Sequence, residues 1–258
     1  MQFPLRLSAD LIRARVSRHL SGAASPPIFR LSLLVAHPAS GARIEEQSAE
    51  FAWHSPGECV RLAESQRAAV VWVGGVEPML HPEIGKVASA LTSSGRHVFV
   101  HTSGAGLRMR IHEFAPVSRL FLTFEFDGIE TVHDRIVPQP GCFRRNLEAI
   151  RAAKLSGFLV CAHLTVTGET QPAEIGQLFE FLDAKDVDGF IVSSGGNRNS
   201  PSAHLAVQEK LLEVQALVRC GRWTRFSQLL ESSYSEPAPA AERQELSGGQ
   251  ADACEESA

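Results

Sequence analysis

Apolar residues gather into six short runs along this chain, and between most of these runs the apolar positions recur at helical spacing. Short, nearly continuous apolar runs are typical of strands that are buried on both faces of a parallel sheet. We therefore predict strands over residues 28–36, 68–73, 97–101, 119–126, 158–166 and 189–192.

The segments between these runs predict helices. The clearest covers residues 172–183, where Ile175, Leu178, Phe179 and Leu182 follow helical spacing behind Pro172 at the helix start. Further helices are predicted over residues 56–66, 82–93, 143–155 and 204–219. The alternation of strand and helix predicts an α/β protein with a parallel sheet, as either an open doubly wound sheet or a curved, incomplete barrel.

In both architectures the functional residues lie at the carboxyl ends of the strands, where the loops meet. The histidines and carboxylates at this edge could also form a metal site with nitrogen and oxygen ligands, which suit zinc or manganese. The candidate ligands are Glu77, His101, Glu125, Asp127, His133 and His163. Their spacing matches no metal motif, and lone histidines are usually structural.

Several residues at this edge allow two interpretations each. The carboxylate of Glu77 could contact a ligand or accept hydrogen bonds within its own loop. Asp127 precedes a glycine, which is also a turn signal. Residues 133–135 (His-Asp-Arg) could bind an anion or form a salt-bridged corner, and residues 195–198 could bind a phosphate through backbone amides.

The two ends of the chain differ in character from its centre. In residues 1–24 we predict a helix from Ser8 to Leu20 with Ile12, Val16 and Leu20 in one stripe and Arg13, Arg15 and Arg18 outside it. This helix could lie on an anionic membrane surface or pack across the open end of a barrel. Residues 233–258 carry six acidic residues against one arginine and little apolar surface, so we predict a disordered tail that is dispensable for folding.

Composition sets the remaining expectations. The net charge of -4 and the pI near 6.2 give no reason to expect nucleic-acid binding. The five cysteines form no disulfide or metal-site pattern, which indicates a reducing compartment. We find neither a signal peptide nor an apolar run near the roughly 18 residues of a membrane span. We therefore expect a cytoplasmic protein, which would be membrane-peripheral if the N-terminal helix lies on a membrane surface.

Seven motifs follow one another in an order that resembles the radical S-adenosylmethionine superfamily, and most closely its adenosyl hopene transferase branch in hopanoid biosynthesis. They are residues 19–22 (His-Leu-Ser-Gly), 55–59 (Ser-Pro-Gly-Glu-Cys), 77–84 (Glu-Pro-Met-Leu-His-Pro-Glu-Ile), 127–128 with 133–135, 150–154 with 157–158, 187–189 with 192–193, and 226–228 (Phe-Ser-Gln). The resemblance implies a partial (β/α)6 barrel over residues 25–232.

The resemblance also implies a cofactor site. The family binds S-adenosylmethionine at a Gly-Gly-Glu-Pro loop, where this chain has Gly75, Val76, Glu77 and Pro78. Thr102, Asp127 and Ser193 would complete the cofactor-binding residues at the same edge. Since valine resists the close backbone approach that glycine permits, we expect S-adenosylmethionine to bind weakly.

The positions of the three cluster cysteines in such a family hold Leu34, Pro38 and Gly41 here. These side chains have no donor atom for iron, so we predict that the four-iron four-sulfur cluster is absent and assign no catalytic residue. We expect a pseudoenzyme or a binding module, with a hopanoid-type lipid or another protein as partner. The alternatives are an active hopanoid-pathway transferase and a barrel enzyme that uses the glutamates and histidines for new chemistry.

Overall fold

The computed structural model describes residues 3–21, 27–38, 49–137, 141–195 and 201–235 of the 258-residue chain. The helices of these residues are α1 (Leu5–Ser21), α2 (Pro56–Ser65), α3 (Ile84–Ser93), α4 (Leu107–Arg110), α5 (Glu130–Ile136), α6 (Cys142–Leu155), α7 (Pro172–Asp183), α8 (Pro201–Leu217) and α9 (Gly221–Ser235). The strands are β1 (Ile28–Ser32), β2 (Leu34–Pro38), β3 (Ala49–Trp53), β4 (Val70–Gly74), β5 (His97–Thr102), β6 (Leu120–Phe126), β7 (Leu159–Val166) and β8 (Gly189–Ser194).

The main sheet is a curled half-barrel of six parallel strands. Its order is β1-β4-β5-β6-β7-β8, and every neighbouring pair is parallel. The spatial order follows the chain order without the reversal that a doubly wound sheet requires. The incomplete barrel predicted from the sequence is therefore confirmed, and the open doubly wound sheet was the wrong alternative.

Aromatic rings fill the half-barrel toward the amino ends of its strands. Phe99 stacks on Phe121 at 4.3 Å and on Phe226 at 4.8 Å between ring centroids. Trp223 of α9 is fully buried and packs against Gly189, where an added Cβ would lie 2.3 Å from the indole ring. Since α9 contacts both edge strands, β1 and β8, it spans the open side of the half-barrel.

Helix α1 packs against the barrel at the amino ends of the strands. Phe3, just ahead of α1, and Leu7 are buried, and the ring of Phe3 lies 4.7 Å from that of Trp223. Asp10 pairs with His97 and with Arg119, both at 3.0 Å. The alternative that this helix packs across the end of the barrel is therefore confirmed.

Helix α1 also starts earlier than we predicted. Ser8 donates its backbone N–H to the carbonyl of Pro4 at 3.1 Å, so Ser8 lies inside the first turn and is not a cap. Proline is common at helix starts, and Pro4 was the better signal. The predicted stripe of Ile12, Val16 and Leu20 exists, but it faces away from the barrel and is exposed.

The predicted first strand, residues 28–36, was wrong as a single strand. It divides at Leu33 into β1, which belongs to the main sheet, and β2, which pairs antiparallel with β3 in a separate two-stranded sheet.

The helix that we predicted over residues 82–93 is α3, which starts at Ile84. A 3₁₀ turn over Pro78–Leu80 precedes it.

The last described helix, α9, was not predicted from the sequence. Helix α9 continues to Ser235, past the start of the predicted acidic tail, and residues 236–258 lie outside the described residues. None of the described helices is long and apolar enough to cross a membrane.

Candidate functional site

The loop after β4 is built around the carboxylate of Glu77. Its Oε1 accepts hydrogen bonds from the Thr102 hydroxyl at 2.6 Å and from the Met79 backbone at 3.1 Å. Its Oε2 accepts from the backbone and the hydroxyl of Ser103 at 2.8 and 2.7 Å. These four bonds match the roughly four lone-pair positions of a carboxylate. Glu77 therefore ties the loop after β4 to the loop after β5.

Arg110 holds the rest of this loop from outside. Its guanidinium donates to the carbonyls of Met79 and His81, both at 2.6 Å, and pairs with Glu113 at 2.7 Å. Pro78 is buried at the start of the 3₁₀ turn. Gly75 has a φ of 90°, which favours glycine at this position.

Asp127 forms a buried pair with His133, whose Nδ1 lies 3.0 Å from Oδ2 of Asp127. The residues that follow His133 make structural contacts. Asp134 accepts hydrogen bonds from the backbone of Gly141 and Phe143, and Arg135 pairs with Glu169 at 2.6 Å. Of the two interpretations of residues 133–135, the salt-bridged corner is thus the one that the contacts support.

Two histidines meet inside the barrel just below its mouth. Nε2 of His101 lies 2.9 Å from Nδ1 of His163, and Nε2 of His163 lies 2.7 Å from the Ser193 hydroxyl. Trp72 borders both imidazoles with ring centroids at 5.2 Å. The three residues at the centre of this network come from β5, β7 and β8, because alternate residues of each strand face the interior.

Burial sets the ionisation of these imidazoles. It lowers the pKa of His101 to about 4, and the charge of Arg30 adds to this effect while Asp127 opposes it. Burial also holds the pKa of His163 well below its usual range, together with His101 and Arg30. Both imidazoles are therefore neutral at neutral pH, which leaves a lone pair on each ring.

Glu125 completes this group from β6, where it is the register partner of His163. One ligand atom each from His101, Glu125 and His163 lies within 4.8 Å of the others. The only hydrogen bond to the Glu125 carboxylate from the described residues is a long one from Thr165, at 3.4 Å. Burial raises the pKa of Glu125, and the charges of Asp127 and Glu77 add to this effect.

The six candidate metal ligands therefore do not form one site. Asp127 and His133 pair with each other, and Glu77 is saturated by its own loops, so within the described residues only His101, Glu125 and His163 converge. The predicted cofactor residues form separate local networks as well. Glu77 contacts Thr102, whereas Asp127 and Ser193 each bond to a histidine.

The four described cysteines are free thiols, and no three of them come together as metal ligands. Cys59, Cys142 and Cys161 are buried, and Cys220 is partly exposed. Burial raises the pKa of Cys59 to about 11 and that of Cys161 well above its usual range, so both thiols stay protonated.

Of the predicted cluster positions, Leu34 and Pro38 bound β2, and Gly41 lies outside the described residues. Gly195 donates its amide to Val166 at 2.7 Å, and the rest of the predicted phosphate loop, residues 196–198, also lies outside the described residues.

Two residues of the site were not singled out from the sequence. Trp72 shares a face of β4 with Gly74, so strand alternation could have identified it as an interior residue. Arg110 carries no such signal, because it follows β5 in a short helix and reaches its partners only through the fold.

A sequence profile of the radical SAM superfamily matches residues 41–204, which is more than half of the chain. The AdoMet-dependent heme synthase of Methanosarcina barkeri (strain Fusaro / DSM 804) is 28% identical over 152 residues, or 55% of this chain and 42% of that protein. The chain thus spans less than half the length of this curated relative.

The fold is similar to solved structures of SuiB from Streptococcus suis. The form bound to S-adenosylmethionine has a TM-score of 0.56 and 10% identity, over 79% of this chain and 51% of that one. The form bound to the precursor peptide SuiA has a TM-score of 0.54 and 11% identity, over 71% of this chain and 43% of that one. At these identities the similarity concerns the fold alone.

Proposed function

The chain belongs to the radical SAM superfamily, and on that premise we propose that it is a member that works without an iron–sulfur cluster and binds a small molecule at the mouth of its half-barrel. The observation that carries this proposal is the placement of the cysteines, the residues that would have to bind the iron of a cluster. The sequence has no cysteine before Cys59, and no three cysteines of the described residues come together as metal ligands.

The residues of this chain therefore do not fit a thiolate-held cluster. A four-iron cluster in this superfamily would supply the electron that cleaves S-adenosylmethionine, and three thiolates would have to hold it. Cys161 faces the interior of the barrel, as the register partner of Thr123 on β6, but it is a single protonated thiol. We derive no radical step for this protein.

The binding surface that we propose is the carboxyl edge of the half-barrel. Gly75 at positive φ and the fixed loop behind it supply backbone groups that a ligand can approach. Thr102, Asp127 and Ser193 lie at the ends of three further strands. S-adenosylmethionine is the first candidate ligand, bound weakly because Val76 replaces a glycine and no cluster iron anchors its amino acid group.

The resemblance of the sequence motifs to the adenosyl hopene transferases supports a hopanoid-type lipid as a second proposed ligand or partner. Helix α1 supports a role near membranes, because its exposed stripe is flanked by arginines. A groove of 540 Å³ between α1 and α9 has apolar walls and carries Arg15, Arg222 and Arg225. None of these three arginines makes an ion pair within the described part of the chain. Such a surface suits an anionic membrane.

Anaerobic reconstitution with iron and sulfide tests the absence of the cluster. We expect a colourless protein with no stoichiometric iron or sulfide, whereas a thiolate-held cluster absorbs at roughly 400 nm. The matched control is the triple variant Leu34→Cys, Pro38→Cys and Gly41→Cys, which restores the spacing of the family's thiolates. A stoichiometric cluster in the unaltered chain would contradict the proposal.

Calorimetric titration with S-adenosylmethionine tests the ligand. If the Glu77 carboxylate shares a hydrogen bond with the ligand ammonium, Glu77→Ala should weaken binding by about 10- to 100-fold. Equal affinities would place Glu77 outside the contact surface. The absence of binding by either protein would favour a lipid or protein ligand.

A working enzyme is the second candidate function. The observation that favours it is the convergence of two neutral histidines and a glutamate inside the barrel, which are groups that can transfer protons or bind a metal ion. Hydrolase and transferase chemistry would both use these residues, and turnover that is lost in Glu125→Gln would distinguish this function from a pure binding role.

A further inference from the structure

We propose that His101, Glu125 and His163 bind one divalent first-row metal ion, such as Zn²⁺, inside the half-barrel. Two imidazole nitrogens and one carboxylate oxygen are a ligand set that such ions prefer, and sites with three protein ligands leave a position open for water or substrate. This cation site goes beyond the binding role proposed above and does not depend on it.

The distances between the three ligand atoms fit this ion after a small movement of the Glu125 side chain. The three ligand atoms lie within 4.8 Å of one another, and a tetrahedral zinc ion with bonds of about 2.0–2.1 Å needs ligand atoms about 3.3 Å apart. The two imidazole nitrogens, at 2.9 Å, are already close to that separation. Glu125 is half-buried and makes only a long hydrogen bond to Thr165, so its carboxylate can turn toward the ion.

The surrounding hydrogen bonds leave an imidazole lone pair available for the ion. When Nε2 of His163 donates its proton to the Ser193 hydroxyl, 2.7 Å away, Nδ1 keeps its lone pair for the ion. Metal-binding histidines usually have such a partner on the second nitrogen, which fixes the ring and its tautomer. His101 has only to move its proton from Nε2 to Nδ1, and Trp72 packs beside both rings.

The scaffold and its charges also favour a cation. The three ligands project from neighbouring strands β5, β6 and β7, which hold them more rigidly than loops would. Asp127 and Glu77 lie near enough for their charges to act on Glu125. Arg30 acts on both imidazoles with the opposite sign, and His133 opposes the two carboxylates at Glu125, so the three carboxylates still outnumber these two groups.

Zinc titration of the full-length chain tests the site. The protein is treated with a chelator, freed of it and titrated with Zn²⁺ by calorimetry, with bound zinc counted by elemental analysis. We expect one equivalent. Ser193→Ala should lower the affinity by about 10- to 100-fold as a positioning change, and Glu125→Gln, which removes a ligand, by at least about 100-fold. Co²⁺ should show visible ligand-field bands in the wild type and lose them in Glu125→Gln.

The controls separate this site from zinc bound elsewhere. His112 is exposed and belongs to none of the strands that carry the three ligands, so His112→Gln should keep the full affinity. Glu125→Gln keeps the shape of the side chain, and thermal unfolding verifies that the variant is folded. A wild-type protein that binds no zinc would overturn the proposal, as would one equivalent whose affinity Glu125→Gln leaves unchanged.

Discussion

The carboxylate of Glu77 is surrounded by donors of its own chain. Two hydroxyls and two backbone amides from two loops converge on it, and the carboxylate is only half-buried. A residue that resembles a family's ligand contact is therefore also a structural tie between β4 and β5. Sequence could place Glu77 at this edge, but only the fold shows how many of its lone pairs are in use.

Replacement of this carboxylate by an amide should destabilise the protein. In Glu77→Gln one oxygen becomes an NH₂ group, which faces donors such as the Ser103 amide instead of accepting from them. We expect the free energy of unfolding to fall by about 1–3 kcal/mol, the cost of leaving such donors unpaired. Urea unfolding measures this change. Glu148→Gln, at an exposed ion pair, serves as the control and should leave the unfolding curve in place.

Gly189 tests the packing of the barrel interior. A Cβ at this position would lie 2.3 Å from the Trp223 indole, which is fully buried and donates to the carbonyl of Asp188 at 3.1 Å. Gly189→Ala should therefore lower the free energy of unfolding by about 1–3 kcal/mol through overpacking. Gly221→Ala is the matched control, because nothing lies within 4 Å of an added Cβ there. Equal stability of the two variants would show that Trp223 can move.

At the scale of elements, helix α1 has two apolar faces. Leu7 lies on the face that packs against the barrel, whereas Leu5, Ile12, Val16 and Leu20 are 77%, 64%, 53% and 81% exposed. The exposed residues follow helical spacing and form one stripe. The periodicity in the sequence correctly identified the stripe, but it could not tell which of the two faces the barrel covers.

The exposed stripe predicts binding to anionic vesicles. A triple variant, Ile12→Gln, Val16→Gln and Leu20→Gln, should lose at least about tenfold in affinity, because burial of one such side chain contributes about 1.5–3 kcal/mol. Co-sedimentation with vesicles of anionic and of neutral lipid measures the change. Leu212→Gln, at an equally exposed position of α8, is the control. If the wild type does not bind anionic vesicles, the stripe contacts another partner.

The boundaries of the elements show what sequence periodicity can and cannot give. Helix α7 matches its prediction at both ends, since Pro172 marks the start and its apolar residues keep one face throughout. The division of residues 28–36 into β1 and β2 escaped prediction, because Leu33 is apolar like Leu31, Leu34 and Val35 in the same run. Helix α9 was not predicted, although Trp223, Phe226 and Leu230 recur at helical spacing in its sequence.

At the scale of the whole molecule, the half-barrel separates an aromatic interior from a polar mouth. The stack of Phe99, Phe121 and Phe226 lies deep, and the imidazoles and carboxylates lie above it toward the loops. Sequence predicted the six strands and the edge where polar residues gather. It could not predict that His101, Glu125 and His163 meet, because strand curvature and register decide that contact.

Buried neutral histidines should make the stability of the whole protein depend on pH. Burial lowers the pKa of His97 from its ordinary value of 6.5, although the hydrogen bond with Asp10 opposes this effect. The pKa values of His101 and His163 are lowered as well. Below pH 6.5 the unfolded chain therefore binds protons that the folded protein does not.

Because of this difference in proton binding, the folded protein becomes less stable as the pH falls. The contribution of each histidine is fully present above pH 6.5 and is lost as the pH falls toward the folded pKa, by up to about 1.4 kcal/mol per pH unit. For Asp10 the hydrogen bonds and charges of His97 and Arg119 outweigh burial and lower the pKa below 3.8, so its contribution is lost only in stronger acid.

We therefore expect the free energy of unfolding, measured in urea with a chelator present, to decrease from about pH 7 to about pH 5. His97→Gln should make this decrease less steep, since one of the three imidazoles no longer titrates, while the exposed His112→Gln should keep the full slope. A wild-type stability that stays constant over this range would mean that the buried imidazoles accept protons in the folded state as readily as in the unfolded chain. In that case rearrangement of the barrel mouth around His101 and His163, and of helix α1 around His97, would have to provide them with solvent or with negative charge.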